Sequence, residues 1–402
     1  MFLFKTFFLI LCASEGWSLT ECELDGIERT RTFNILLTSD FMRGLYNENP
    51  GKNIITTGLF ANYGFGTYAS YTKCESVSVE LVKTMNYTCL NQLKATIPIL
   101  TRYFQSFQVT ISAWSGIICA DTSRRFLRVF VDGLYGFFNS NVRNTDFENP
   151  PLVASAINQL ANVNTCGFAT SGKLIHPDMV VNDGRFFFIA TNYFEGGFTG
   201  YTNPCDTLYR DFYLPCGEII QIPTMRIQGV HGYGKMYKYE ADVLQLNFQG
   251  GDYIMYAVVP KCIEDMENIL KELRNPLFFD ETISCINFYN MICYLPVIDL
   301  HKNFDFKSCY EKYGNNPYLD IKTIDFAYMF DNSDGAYVSQ MLVDFRMRIN
   351  EGITYSNQTV PECPDDDYNR NIIQVTVNRP MIFYICSSNG VPMITGIFTG
   401  VN

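Results

Sequence analysis

The most informative pattern of hydrophobic and polar positions lies near the C-terminus, in residues 337–371. Apolar and polar side chains nearly alternate from Phe345 to Ile349, and this period of two predicts a half-buried strand. The sequence then becomes polar, with two prolines and three consecutive aspartates in residues 361–367. Proline cannot donate a hydrogen bond to a sheet, so an exposed loop is predicted there instead of a central strand. Residues 372–401 are again rich in strand-forming side chains, which places the loop between two pieces of sheet.

Helical and strand patterns follow one another along the rest of the chain. Apolar side chains recur on one helical face over residues 33–47, and the Asn-Pro-Gly-Lys run at 49–52 ends that helix. Residues 186–198 form a continuous apolar run that is typical of a buried strand. Residues 235–259 predict strands with a Gly-Gly hairpin turn, and residues 263–274 predict a helix. No repeat, low-complexity tract or Gly/Ser/Pro-rich linker separates these segments, so one large domain is predicted.

The first residues have the composition of a secretory signal peptide. Lys5 precedes an apolar run that ends in small residues and is too short to span a bilayer. Cleavage is expected near Ser14 or Gly16, so residues 1–16 are assigned to the signal peptide and residues 17–402 to the domain. No later segment has the length of apolar sequence that a membrane helix needs. We therefore predict a soluble, secreted, extracellular protein without a membrane anchor.

The charge of the chain limits its partners. Its formal net charge is −11, and this value is unchanged when Lys5 and Glu15 leave with the signal peptide. A protein of this charge is repelled by nucleic acid and by anionic membrane surfaces, and it lacks the basic stripe that binding to phosphates needs. Neither nucleic acid nor membrane is predicted as a partner.

Cysteines bear on the covalent structure of an exported protein. Of the 14 cysteines, Cys12 lies in the signal peptide, and the odd number that remains leaves at least one thiol free or bonded to another chain. Two pairs close short loops and are predicted as disulfide bonds, Cys205 with Cys216 and Cys74 with Cys89. No Cys-x-x-Cys spacing is present, so a zinc ribbon or a thioredoxin-like site has little support.

Two sequons predict that the secreted protein is a glycoprotein. They place glycans on Asn86 and on Asn357. Asn357 lies in the predicted loop, where a glycan would add bulk.

Few residues suggest catalytic chemistry. The three histidines, His176, His231 and His301, accompany neither a Gly-x-Ser-x-Gly elbow nor a His-Glu-x-x-His helix, and turn or surface positions are expected for them. Residues 64–69 match the dinucleotide-binding fingerprint in form but lack the acidic residue about twenty positions on, so close packing of a buried helix explains them better. The aspartates at 365–367 are interpreted as a solvated acidic loop. No enzymatic activity, cofactor or metal site is predicted.

Several motifs, in order along the chain, resemble those of the serpin family. Residues 49–60, NPGKNIITTGLF, resemble the family signature NPGKNIVFSPLS, and residues 186–198 resemble Asn-Ala-x-Tyr-Phe-x-Gly-x-Trp. The strand ending in Asn-Glu-Gly at 350–352, the long loop and Asn-Arg-Pro at 378–380 resemble the serpin C-terminus with its reactive-centre loop. The resemblance implies an α+β serpin fold, with three β-sheets, about eight or nine helices and an exposed reactive-centre-type loop.

The resemblance also implies a mechanism against which the loop can be compared. Inhibitory serpins insert the first half of the cleaved loop into the large sheet, and this needs a small, mobile hinge. The hinge positions of this chain are Glu351, Gly352, Ile353, Thr354, Tyr355 and Ser356. Ile353 replaces the family's flexible glycine, Gln358 would bury an amide at a cost of about 1–3 kcal/mol if unpaired, and Pro361 removes a ladder donor. We therefore predict that insertion is obstructed.

A second group of positions controls the opening of the large sheet in the family. In this chain these shutter and breach positions are Thr57, Phe60, Ala190, Phe198 and Val343. Phe60, Ala190 and Val343 stand where the family has serine, asparagine and histidine. Replacing all partners of such a polar network by apolar groups can leave stability unchanged, whereas losing one partner cannot. The joint replacement therefore indicates a change of use.

These observations lead to one main prediction and two alternatives. The main prediction is a secreted, non-inhibitory serpin-fold protein that binds, carries, stores or assembles with an unidentified extracellular protein or small molecule. The first alternative is an inhibitor of serine or cysteine proteases that acts through loop 353–377, with a reactive bond at Asp367, Tyr368 or Arg370. The second is a secreted structural component, suggested by 26 tyrosines, 33 phenylalanines and the odd cysteine, and it would form a disulfide-linked dimer.

Overall fold

The computed structural model describes residues 19–107, 109–168, 175–180, 186–275, 277–314, 326–332, 336–352 and 372–400. The helices in these residues are α1 (Glu21–Glu48), α2 (Leu59–Tyr71), α3 (Glu75–Thr84), α4 (Leu90–Thr101), α5 (Arg128–Phe138), α6 (Pro150–Asn164), α7 (Ile263–Glu272), α8 (Phe278–Ser284) and α9 (Phe306–Tyr313).

The strands of the described residues fall into two hydrogen-bonded sheets. They are β1 (Ile54–Thr56), β2 (Gln105–Phe107), β3 (Ile111–Asp121), β4 (Ser140–Thr145), β5 (Phe186–Gly196), β6 (Tyr201–Thr202), β7 (Leu208–Tyr213), β8 (Ile219–Met236), β9 (Ala241–Asn247), β10 (Tyr253–Pro260), β11 (Asn287–Pro296), β12 (Ile298–Asp305), β13 (Val338–Ile349), β14 (Ile373–Thr376), β15 (Met381–Ser387) and β16 (Pro392–Phe398).

The six-stranded sheet contains the strand predicted before the loop. Its order is β12-β13-β5-β3-β2, and β4 pairs with the other half of β3. The two central strands, β5 and β13, are parallel neighbours whose pairing runs from Phe186 opposite Val338 to Gly196 opposite Ile349. The C-terminal ends of both strands therefore lie side by side, and residues 350–352 leave β13 at that point.

The ten-stranded sheet has the order β1-β16-β15-β10-β9-β8-β11-β14, with β6 and β7 also paired to β8. Strand β8 is 18 residues long. Its first half pairs with β7 and its second half with β9, so this one strand joins the two groups of strands into a single hydrogen-bonded sheet. The described strands therefore form two sheets by hydrogen bonding, where the resemblance implied three. The predicted Gly-Gly hairpin is formed by β9 and β10.

Helix α1 begins twelve residues before the predicted helix start at residue 33. Thr20 and Glu23 form a capping box that satisfies the first backbone N–H groups. The polar first half of the helix is packed against other helices, and Thr30 and Arg31 are buried there with partners. The amphipathic pattern identified only the second half because the first half buries polar side chains.

Helix α2 lies in the core, and all its residues except Ser70 are buried. A Cβ atom added at Gly64 would lie 2.5 Å from the Cε atom of Met341, and one at Gly66 would lie 3.1 Å from the ring of Phe138. These distances confirm that residues 64–69 serve close packing of a buried helix.

On one face of the six-stranded sheet, helix α6 packs mainly against β3 and β4. Its buried side chains Val153 and Ile157 form one apolar cluster with Ile189 of β5 and Leu342 of β13. The helix therefore lies over the β3 and β4 side of the sheet, and this apolar cluster extends from it to the central strands. None of the helices in the described ranges has both the length and the apolar character needed to cross a membrane.

Neither predicted disulfide bond is formed, and no disulfide joins any two cysteines of the described residues. Strand β7 separates Cys205 from Cys216, because one precedes Leu208 and the other follows Tyr213. Five strand steps of about 3.4 Å keep those two ends roughly 17 Å apart, whereas a disulfide needs Cα atoms within about 7 Å. Cys205 and Cys216 are close in sequence, but the extended strand between them separates them in space.

Candidate functional site

The line of contact between β5 and β13, which we call the seam, has an apolar centre. Ala190 of β5 is directly opposite Val343 of β13. The side chains are 0% and 1% exposed, and both belong to the main hydrophobic cluster. Without a polar atom on either side chain, backbone hydrogen bonds and apolar packing hold the strands together at this point.

Beneath the seam, the start of α2 adds aromatic packing. Phe60 is fully buried, and its ring lies 5.0 Å from that of Phe306 and 5.9 Å from that of Tyr63 between centroids. The hydroxyl of Thr57 accepts a hydrogen bond of 3.2 Å from the backbone N–H of Leu59. Thr57 therefore accepts from the first backbone N–H of α2, whose N-cap residue is Gly58.

One strongly polar side chain is nevertheless buried beside the seam. Asn192 of β5 is opposite Phe345 of β13 on one side and Trp114 of β3 on the other. Neither its amide oxygen nor its amide nitrogen has a hydrogen-bond partner among the described residues. The amide contributes no polar link across the seam.

The loop root, which we define as residues 350–352, is bound to the end of β5. The N–H of Asn350 donates to the carbonyl of Gly196 at 3.3 Å, and its side-chain Nδ2 donates to Glu195 Oε1 at 3.0 Å. The backbone N–H of Gly352 donates a hydrogen bond to Asn350 Oδ1 at 2.9 Å. These bonds extend the closed seam past the last ladder pair.

Glu351 is held by two threonines that follow β5 in the chain. The Thr202 hydroxyl donates to the backbone carbonyl of Glu351 at 2.9 Å, and the Thr207 hydroxyl donates to its carboxylate. A hydrogen bond to a charged acceptor contributes about 1.5–3 kcal/mol. The loop root is thus fixed from two sides, by β5 and by the segment around β6.

Gly352 ends the extended geometry of β13. Its φ angle is +94°, a conformation that glycine adopts without steric cost. Its backbone lies against Gly197, where an added Cβ would be 2.4 Å from the Cα and N atoms of Gly352. Two glycines therefore allow two backbones to touch at the loop root.

Phe198 closes the end of the seam from the side of the ten-stranded sheet. It is fully buried, and its ring centroid lies 4.6 Å from that of Phe248. Gln249 donates from Nε2 to the Phe198 carbonyl at 3.2 Å, and Thr110 donates to the Gln249 carbonyl at 2.7 Å. The loop root therefore lies beside the packed rings of Phe198 and Phe248 and the hydrogen-bonded amide of Gln249.

On the outer face of the same strands, charged side chains form a short row. Arg348 of β13 lies between Glu195 of β5, at 3.6 Å, and Asp299 of β12, at 3.3 Å. Asp344 is buried, and its Oδ1 forms a hydrogen bond of 2.7 Å with His301 Nε2. Burial raises the pKa of the Asp344 carboxyl, and the contact with His301 opposes this effect.

The model of the serpin (serine protease inhibitor) family matches residues 34–399. The chain belongs to the serpin family. Antichymotrypsin-2 of Bombyx mori is 19% identical over 373 residues, which are 90% of this chain and 95% of the relative. Antitrypsin of Bombyx mori is 20% identical and covers 90% of this chain and 91% of its own length.

Solved serpin structures agree with the fold. Native protease nexin-1 with heparin has a TM-score of 0.78 and 18% identity, over 94% of this chain and 100% of that one. Uncleaved ovalbumin has a TM-score of 0.77 and 14% identity, over 92% and 100%. The thyroxine-binding globulin complex with thyroxine has a TM-score of 0.76 and 16% identity, over 92% and 98%. At these identities the likeness shows the serpin fold alone.

Of the predicted shutter and breach positions in this serpin, Ala190 and Val343 meet directly. Phe60 and Phe198 belong to the same main hydrophobic cluster as that pair, and Thr57 is buried just before α2. Of the hinge, Glu351 and Gly352 are described, whereas residues 353–356 lie outside the described residues. The same holds for Asn357 and for the predicted reactive-bond positions Asp367, Tyr368 and Arg370.

Thr202, Thr207 and Gln249 contact this site but were not identified from the sequence. All three lie in or beside turns, where no hydrophobic period marks them. Asn192 is an amide within a largely apolar strand, and this contrast is the sequence feature that could have identified it as a buried polar residue.

The other predicted residues lie away from the seam. Asn86 is half-buried after α3, and its Nδ2 donates to the Arg29 carbonyl at 3.4 Å, so glycosylation there stays a prediction. The expected turn or surface position is wrong for His231, which is 1% exposed within β8 and has no partner on either ring nitrogen in the described part of the chain. His176 is exposed beside Asp178. No group of three or more metal-binding side chains occurs in the described residues.

Proposed function

We propose that this serpin is a secreted, non-inhibitory member of the family that acts by binding a ligand or partner. One observation carries the proposal: Ala190 and Val343 close the seam with apolar contact. Inhibition by the family's mechanism needs β5 and β13 to separate and accept the loop as a strand between them. In this chain, separation would break the parallel ladder from Gln340 to Ile349 and expose apolar side chains to water.

Two further contacts oppose separation. Helix α6 shares an apolar cluster with Ile189 of β5 and Leu342 of β13, so separation of the strands would disturb that cluster. The loop root is bound through Asn350 to β5 and through Glu351 to Thr202 and Thr207. An inserting loop would have to leave these partners before it gained any ladder bond.

The loop sequence supports the same proposal. Ile353 stands where a flexible hinge glycine is expected, and Pro361 has no N–H to donate to a central strand. The signal-peptide composition of residues 1–16 supports secretion. A binding role agrees with a family in which one structural neighbour is a thyroxine-binding globulin.

Protease inhibition is the second candidate function. It is favoured by relatives named antichymotrypsin and antitrypsin, each of which covers 90% of this chain. In that case the target protease would recognise and cleave loop 353–377, and the reactive bond would be at Asp367, Tyr368 or Arg370. Serine and cysteine proteases are both possible targets of such a loop.

Incubation of the purified protein with a protease panel distinguishes the two functions. Trypsin, chymotrypsin, elastase and a papain-like protease would be mixed with the protein and resolved by denaturing electrophoresis. The proposed function predicts cleavage products and a fully active protease. A covalent complex that survives denaturation, together with stoichiometric loss of protease activity, would overturn it. A known inhibitory serpin run beside it checks that the assay traps proteases.

A further inference from the structure

A cleft of about 210 Å³ lies away from the seam, between the end of α1, the start of α7, the end of β7 and the linker from β14 to β15. Its walls include Tyr46, Tyr213, Met266, Arg379 and Pro380. Four separate parts of the chain therefore converge on it. A concave site of mostly apolar lining with a few polar groups is the usual form of a small-molecule site.

The floor of the cleft is apolar and well packed. Tyr46 and Met266 are 5% and 2% exposed and belong to the second hydrophobic cluster. Burial, together with the charge of Glu267, raises the pKa of Tyr46, so its phenol remains neutral. The floor can accept an aromatic or aliphatic body and offers one neutral hydroxyl.

The rim carries the cation Arg379, which has no carboxylate partner among the described residues. The Arg379 Nε donates to Asn378 Oδ1 at 3.2 Å, and one terminal nitrogen donates to the Lys261 carbonyl. No acidic side chain forms an ion pair with Arg379 in the described part of the chain. Lys261 differs, because its Nζ is paired with Glu240. The guanidinium retains donors of the kind that bind carboxylate, sulfate or phosphate.

The linker that carries this cation is fixed in place. The backbone N–H of Tyr213 donates to the Asn378 carbonyl at 2.8 Å, which ties the linker to the end of β7. Pro380 limits the backbone that follows Arg379. A fixed cation at the rim of an apolar floor is preorganised for a ligand with both features.

From this arrangement we infer that the cleft binds an amphipathic organic anion, with its aromatic or aliphatic body against Tyr46 and Met266 and its carboxylate, sulfonate or sulfate on Arg379. The inference gives a site to the binding role proposed above and rests on that role for its biological meaning. The cleft and the seam share no residue, so each can be tested by itself.

The test uses two fluorescent probes that differ in charge. 8-Anilinonaphthalene-1-sulfonate carries an aromatic body and a sulfonate, and N-phenyl-1-naphthylamine has the same rings without the anion. We expect saturable one-to-one binding of the sulfonate to the full-length secreted protein. We also expect Arg379→Gln to weaken the sulfonate at least tenfold and the neutral probe less than twofold, and Arg379→Lys to recover part of the loss.

Two variants serve as controls. Arg128→Gln removes an exposed arginine on α5 and should leave both probes unaffected. Met266→Trp fills the floor and should weaken both probes, and its melting temperature shows whether it remains folded. Non-saturable binding, equal loss of both probes on Arg379→Gln, or no loss at all would overturn the inference. A covalent protease complex with saturable cleft binding would remove the proposed function and leave the cleft site standing.

Discussion

Ala190 of β5 faces Val343 of β13 across a parallel ladder, and both side chains are excluded from water. The pair lies in the middle of the sheet that a serpin must open to act as an inhibitor. Phe60 belongs to the same hydrophobic cluster as this pair, and the hydrogen bonds of the loop root hold the end of the same two strands. The inhibitory mechanism of the family could operate in this chain only if that contact can be broken.

A hydroxyl placed in the seam should be costly. Val343→Thr keeps the shape of the side chain but buries an oxygen opposite Ala190, and we expect it to lower the free energy of unfolding by about 1–3 kcal/mol. Val129→Thr on the exposed face of α5, where the valine is 78% exposed, should change it by less than about 0.5 kcal/mol. Chemical denaturation of both variants measures the difference, and equal stability would mean that the seam is not apolar.

The threonines at the loop root should protect its backbone. Thr207→Val removes the hydroxyl that binds the Glu351 carboxylate, and we expect faster amide hydrogen exchange in a peptide covering residues 345–352. Thr207→Ser retains the hydroxyl and should retain most of the protection. Unchanged exchange in the valine variant would show that Glu351 does not fix the loop root.

Contact between two backbones makes Gly197 sensitive to a single methyl group. Gly197→Ala would place a Cβ 2.4 Å from Gly352, so the loop root must shift, and we expect a loss of about 1–3 kcal/mol in unfolding free energy. Gly136→Ala is the matched control, since an added Cβ there meets nothing within 4 Å. Its helical position predicts a gain of about 0.5–1 kcal/mol. A neutral Gly197→Ala variant would contradict the described contact.

The buried imidazole of His231 should make the protein sensitive to acid. Burial lowers the pKa of His231 from 6.5 to about 4. The unfolded chain therefore binds a proton in this range that the folded protein does not, so stability is complete above about pH 6.5 and falls towards pH 4. The full effect is about 3 kcal/mol.

Replacement of His231 isolates this effect from the other titrating groups. His231→Phe should remove that part of the acid sensitivity, whereas His176→Gln at an exposed site should not. Urea denaturation at pH 7 and pH 4.5 gives the comparison. Identical loss of stability in wild type and His231→Phe would show that the imidazole is protonated in the folded state.

The sequence predicted the strands of the site better than their contacts. The alternation after Phe345 and the apolar run at 186–198 correctly predicted two strands, because burial on a sheet imposes a period or an unbroken apolar run. Helix α1 was predicted only in part, since its first half buries polar groups that pair with other helices. The resemblance located Ala190 and Val343, whereas hydrophobic periodicity alone could not have paired them.

The contacts that could not be predicted from the sequence are those in which separation along the chain and distance in the fold differ. Thr202 and Thr207 precede Glu351 by about 150 residues and have no periodic pattern, so only the folded chain brings them to the loop root. The predicted bond between Cys205 and Cys216 failed for the opposite reason, because a short separation in sequence is spanned by an extended strand. His231 was expected in a turn because glycines surround it, but those glycines lie within a long strand.

The melting temperature before and after a single cut within residues 353–371 tests the closed seam most directly. Mass spectrometry would confirm the position of the cut, and calorimetry would compare the nicked and intact proteins. A seam that stays shut predicts the same melting temperature for both, because no strand is added to the sheet. A large rise in the melting temperature of the nicked protein would mean that the loop had entered between Ala190 and Val343, and it would contradict the account.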